Sequence, residues 1–264
     1  MRLKITHRTE YQYDVPVPYA LQRIRLVPLT NDLQVVLNWH LEIEGAAEEL
    51  RYVDHFGNDT RLLSVTGGAS TIAVEASGEI ETTDRSGMFG AHRGFAPLWL
   101  FQPQTSLTTA GDGVKSLVAE LPEGRDLDRL HALMALIAER VEYKTGTTTT
   151  LTTAEDAVVA GSGVCQDHSH VFLAAARLLE LPARYVSGYL MMDDTESQVA
   201  THAWAEAHLA GLGWVGFDAA NGICPDDRYV RIATGRDYRD AMPVSGIRLG
   251  QGDERLEVRI TVEQ

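Results

Sequence analysis

Hydrophobic spacing changes once along this chain, and the change divides it into two kinds of structure. From Met1 to about Gly87, apolar and polar residues alternate in short runs: Leu3 to His7, Ala20 to Val27, Val35 to Ile43, Leu50 to His55, Thr60 to Val65 and Thr71 to Ile80. A period of two puts successive side chains on opposite faces of a strand. The breaks between runs carry residues that turn a chain, namely Pro16-Val17-Pro18, Thr30-Asn31-Asp32, Phe56-Gly57-Asn58-Asp59 and Gly67-Gly68. An antiparallel, β-rich, sandwich-like domain is therefore expected over residues 1–95. Residues 96–112 are irregular, with Pro97, Pro103 and Gly111, and read as a linker.

Over residues 113–264 the spacing becomes helical and then alternates again. Asp126 is expected to cap a helix in which Leu127, Leu130, Met134, Ile137 and Val141 recur at steps of three and four. A second helix is predicted from Cys165 to Leu179, stopped by Leu181-Pro182, with Val171, Phe172, Ala175, Leu178 and Leu179 as its buried stripe. Strands follow at Arg184 to Met191, Thr201 to Leu209 and Trp214 to Asp218, the last two joined at Gly211-Leu212-Gly213, and alternation returns from Leu256 to Glu263. The fold class is α+β.

Composition narrows the partners. The 264 residues carry 23 Lys plus Arg against 37 Asp plus Glu, a net charge of −14, which makes nucleic acid and anionic membrane poor partners. No segment reaches the roughly 18 consecutive apolar residues of a spanning helix, and the first residues lack a signal-peptide apolar stretch, so a cytoplasmic protein is expected. With only Cys165 and Cys224 present, at least one thiol is expected to be free.

Cys165 opens the second predicted helix in Gly163-Val164-Cys165-Gln166-Asp167-His168, and the following strands bring His202 and Asp218. The nucleophile of a cysteine enzyme is the thiolate, and an ordinary thiol with a pKa of about 8.5 is mostly protonated at neutral pH. A helix N-terminus favours negative charge, an adjacent imidazole takes the proton, and a carboxylate on the far ring nitrogen orients that imidazole. His202 and Asp218 fit those roles. The amide of Cys165 can donate to an oxyanion, while Gly163 is expected to let a substrate approach the backbone. A regular hairpin pairs Asp218 nearer Ala205 than His202, so a bulge or asymmetric loop is expected to bring the two side chains together.

The motifs Gly163-Val164-Cys165-Gln166-Asp167-His168-Ser169-His170, Arg184-Tyr185-Val186-Ser187-Gly188-Tyr189, Thr201-His202-Ala203-Trp204-Ala205-Glu206 and Trp214-Val215-Gly216-Phe217-Asp218 resemble the core of the transglutaminase-like superfamily. Gly235-Arg236-Asp237-Tyr238, Thr9-Glu10-Tyr11-Gln12-Tyr13 and Arg25-Leu26-Val27-Pro28 are similar to its bacterial, cysteine-protease-like branch, whose members carry an N-terminal β domain. The resemblance implies a papain-like core with Cys165 as nucleophile, His202 as general base and acid, and Asp218 as orienting carboxylate. It also implies a thioester acyl-enzyme, a protein or peptide substrate and no cofactor. Water resolving the thioester gives a protease or amidase, the leading expectation. An amine gives a glutamine transferase, and a misassembled triad would leave a binding module.

Other polar and aromatic residues have plainer readings beside the functional ones. Tyr143, Trp204 and Tyr238 are candidates to line the cleft or donate to an oxyanion, with core packing as the alternative. Gln166 and Asp167 either shape the site or simply occupy a helical first turn. His168 and His170 invite a zinc reading with Cys165, but positions two apart face different sides of a helix, so no metal is expected. Asp193-Asp194-Thr195-Glu196 is read as a solvated loop rather than a calcium site. Cys224 is read as an incidental loop thiol.

Overall fold

The computed structural model describes residues 1–192 and 197–264, so the Asp193 to Glu196 cluster lies outside the described residues. In chain order the strands begin with β1 (Arg2–Ile24), β2 (Gln34–Glu44), β3 (Ala47–Val53), β4 (Asp59–Thr82) and β5 (Met88–Gly90). Helices α1 (Asp112–Ala119) and α2 (Asp126–Arg140) lead through β6 (Glu142–Tyr143), α3 (Ala154–Ala160) and β7 (Ser162–Gly163) to α4 (Cys165–Leu178). The chain then forms β8 (Ala183–Leu190), β9 (Ser197–Gln198), β10 (His202–Leu209), β11 (Gly213–Phe217), β12 (Tyr229–Gly235), α5 (Tyr238–Ala241), β13 (Val244–Leu249) and β14 (Glu254–Glu263).

Two antiparallel sheets organise these elements. The first has seven strands in the order β2-β4-β1-β14-β9, with β3 on β4 and β13 on β1. Its two longest strands do not break where turns were expected. Pro16-Val17-Pro18 lies inside β1 and Gly67-Gly68 inside β4, and Val17 pairs with Ala69 between two register shifts. Both glycines hold positive φ, 95° and 88°, and proline donates no ladder hydrogen bond, so the breakers bend a strand pair instead of ending it. The bend folds the sheet on itself. Val74 and Ala76 from one half then pack with Ile24 and Leu63 from the other, which gives the sandwich-like core.

The second sheet has five strands in the order β12-β8-β10-β11-β5. Sheet membership does not follow chain order: β13 and β14 join the first sheet, and β5 joins the second. Helix α4 lies against β10 and β8 with α1, α2 and α3 around it. Every residue from Asp167 to Arg177 is therefore buried, where a one-sided stripe was expected. Arg177 satisfies its buried guanidinium on the carbonyls of Phe101, Ala183 and Arg236 and on the Thr108 hydroxyl, which fastens the irregular 96–112 stretch to the core. Asp126 is the first helical residue of α2 rather than its cap, since Arg125 holds the cap position. Two short helices, α1 and α3, were not anticipated, although Val114, Leu117, Val118 and Leu121 recur at steps of three and four through and just past α1; α3 is fixed by a capping box between Thr153 and Asp156. No helix among the described residues is long and apolar enough to cross a membrane.

Candidate active site

Cys165 is the first residue of α4, after an extended Val164. The first amide groups of a helix lack intrahelical partners and make the terminus favourable to negative charge. The turn is held by Asp167, whose Oδ2 accepts from the Val164 amide at 2.8 Å and from the Thr148 hydroxyl at 2.7 Å. Burial pushes the Asp167 carboxyl up against these hydrogen bonds. Gly163 is needed here for a different reason than expected: a Cβ on it would lie 2.6 Å from the Asp167 Cβ, so the glycine makes room for the turn's own carboxylate. Both cysteines are free thiols.

His202 begins β10, and its Nε2 donates to Asp218 Oδ2 at 2.6 Å. The expected bulge is absent. The β10–β11 ladder is regular, with Ala205 opposite Phe217, so Asp218 follows opposite Trp204. His202 is thus the same-face diagonal neighbour of Asp218, a separation that a histidine side chain spans. With Nε2 on Asp218, Nδ1 is the ring nitrogen left for a thiol, and Cys165 lies close enough to act on the ring. Burial alone would lower the proton affinity of His202, but Asp218 and Cys165 outweigh it and raise the imidazole to about 10.

Asp218 is fully buried and saturated with donors. Besides His202, its Oδ2 accepts from the Asn221 side chain and the Tyr229 hydroxyl, each at 2.7 Å, while Oδ1 accepts the amides of Ala220 and Asn221. Burial disfavours the charged carboxylate, yet these donors hold its pKa below the usual value. Asn221 and Tyr229 were not anticipated. Asn221-Gly222 after Asp218 carried a turn signal that could have been read. Tyr229 comes from β12, and nothing local marks it.

The secondary candidates separate by position. Tyr143 is half-exposed, pairs through its backbone with Gly163, and lies close enough to Cys165 and Asp218 for both to add to the effect of burial in raising its phenol pKa. Gln166 is half-buried next to Cys165 and makes no side-chain hydrogen bond among the described residues. Trp204 is a buried support: it stacks on His202 at 6.3 Å and meets Tyr229 edge-on at 5.4 Å. Tyr238 sits behind the site, its amide donating to His170 Nε2 and its ring against Tyr185. His168 and His170 do not face Cys165 as ligands. The nitrogens of His168 lie on the Val164 and Val141 carbonyls, and burial lowers His170 to about 3.

Residues 115–219 match the transglutaminase-like superfamily, and residues 3–81 match the bacterial transglutaminase-like N-terminal region. The chain thus joins a bacterial transglutaminase-like N-terminal region to a transglutaminase-like core. An uncharacterised protein of Mycobacterium leprae is 28% identical over 99% of this chain and 98% of its own length. One from Mycobacterium tuberculosis strain H37Rv is 29% identical over 93% of this chain and 87% of its own. A crystal structure from Cytophaga hutchinsonii, described as a putative cysteine protease, shares the fold: its TM-score is 0.79 over 100% of this chain and 90% of that one, at 24% identity. The superfamily match runs from Lys115 within α1 to Ala219, and thereby takes in α4 with Cys165, β10 with His202, and Asp218 just after β11.

The raised His202 gives this transglutaminase-like chain a stability that depends on pH. A group that binds its proton more tightly when folded stabilises the folded state fully below its unfolded pKa and loses that contribution as pH rises through its folded one. The window here runs from 6.5 to about 10. Urea midpoints should fall across it in the parent and fall less in Asp218→Asn. Equal slopes in the two proteins would show that the pair is not formed.

Proposed function

We propose that this chain is a cysteine hydrolase that cleaves an amide bond in a protein or peptide through a thioester acyl-enzyme. The observation that carries the reading is His202 fixed on the buried Asp218 carboxylate, with Cys165 at the start of α4 close enough to act on its ring. The thiolate of Cys165 attacks the carbonyl carbon, and the C–S bond forms as the carbonyl becomes an oxyanion. Protonated His202 gives its proton to the leaving nitrogen as the C–N bond breaks. Water then attacks the thioester, His202 takes its proton, and the C–S bond breaks to release the acid and restore the thiol. The Cys165 amide donates one hydrogen bond to the oxyanion, and Gln166 and Tyr143 are the candidates for the second. Asp218 keeps the ring in the tautomer and orientation that both steps use.

Iodoacetamide labelling at a series of pH values, with mass spectrometry to place the label, tests the activated thiol. Cys165 should react rapidly well below about pH 8 in the parent and slowly in His202→Ala. Slow labelling in both proteins would defeat the reading. In amide assays run with and without an added primary amine, release of the free acid supports hydrolysis, whereas an amine-dependent adduct would make the protein an acyl transferase.

A further inference from the structure

The face of the second sheet turned away from α4 carries an open cavity of about 230 Å³, lined also by the loops at Leu29 and Phe56 and by Phe89. Arg184 and Arg231 form part of its wall. They share one carboxylate: Arg184 Nε donates to Glu206 Oε2 at 2.7 Å, and Arg231 Nη1 donates to Oε1. The three side chains are 8%, 13% and 3% exposed, so two cations and one anion sit almost out of water. Among the described residues the buried contact of Arg25 with Asp54 is instead one to one in charge, though Nη1 of Arg25 is also unpaired.

The excess charge comes with unused donors. Neither Nη of Arg184 has a hydrogen-bond partner among the described residues; Nη2 is fully buried, which leaves Nη1 as the accessible unused donor. The guanidinium lies over Trp214 at 4.0 Å and Phe89 at 5.1 Å, and that of Arg231 over Phe89 at 4.4 Å. Stacking fixes the planes and leaves the N–H edges to donate. Burying a cation without a matching anion is costly, and a guanidinium edge fits an oxyanion better than it fits water. The space equals about eight water volumes, enough for a small molecule.

We propose that this cavity is a binding site for a small oxyanion, a carboxylate- or phosphate-bearing molecule held by the guanidinium edges of Arg184 and Arg231. The site is separate from Cys165, so it stands or falls independently of the proposed hydrolysis.

Calorimetric titration of the whole protein at low salt, with benzoate in one arm and inorganic phosphate in the other, tests it. At least one anion should bind saturably with a Kd of about 1 mM or tighter, and the arm that binds identifies the headgroup. Arg184→Gln should weaken that binding roughly tenfold or more. Because Arg184→Gln also disturbs the Glu206 pair, Leu29→Trp serves as a second variant. It fills the mouth, leaves both arginines in place, and should weaken binding while the circular dichroism stays that of the parent. Absence of saturable binding in both arms, or equal binding by a folded Leu29→Trp and the parent, would overturn the proposal.

Discussion

Cys165→Ala should lose amide-bond cleavage by a factor on the order of 10⁴ or more, while its circular dichroism and urea midpoint stay close to those of the parent. The size follows from the role proposed: without the sulfur there is no thioester, and His202 and Asp218 have nothing to activate, so the residual rate reflects only binding and hydrogen bonding to the carbonyl. The fold should tolerate the change because Cys165 is only half-buried and its helix is anchored beyond it, by Asp167 on the Val164 amide and by the buried run to Arg177. Activity assays beside denaturation curves separate the two effects. Cleavage at the parental rate by a folded Cys165→Ala would remove the residue from the mechanism.

Glu206→Ala should cost about 3–5 kcal/mol of stability, among the largest effects of any single substitution in the chain. Glu206 is 2% exposed and is the shared partner of Arg184 and Arg231. Burial works against its charge, and the two arginines overcome this and hold its pKa below the ordinary carboxylate value. Removing it strands two cations against Phe89 and Trp214, in a place water reaches poorly. Urea denaturation at neutral pH measures the loss. A change below about 1 kcal/mol would mean that the arginines are balanced by something other than Glu206.

What could be read from the sequence was whatever repeats locally. The span of α4 and the positions of β8 and β10 follow from spacing within some fifteen residues, and the structure keeps them. The readings that changed depended on partners distant in the chain. Pro16-Val17-Pro18 and Gly67-Gly68 have the composition of turns, and only their position across from one another makes them a shared bend. The expected bulge at His202 and Asp218 came from considering directly opposed residues alone, whereas the diagonal neighbour suffices. Tyr229 on Asp218 and Arg231 on Glu206 both come from β12, whose sequence gives no sign of which strand it lies beside. A buried network assembled from several strands leaves no local periodic trace.

The pairing of β1 with β14 bears on how the chain is made. Lys4 through Tyr13 find their neighbours in Glu254 through Glu263, so β1 leaves the ribosome long before β14 and lacks one flank until β14 has emerged. All the strands and helices around Cys165 and His202 are synthesised in that interval. The thiol-bearing half can therefore organise while β1 still presents an open edge, and such an edge invites pairing with other chains. Closing it joins segments at very large sequence separation, which slows folding. The late step in maturation should be closure of the first sheet, with misassembly during synthesis concentrated along β1.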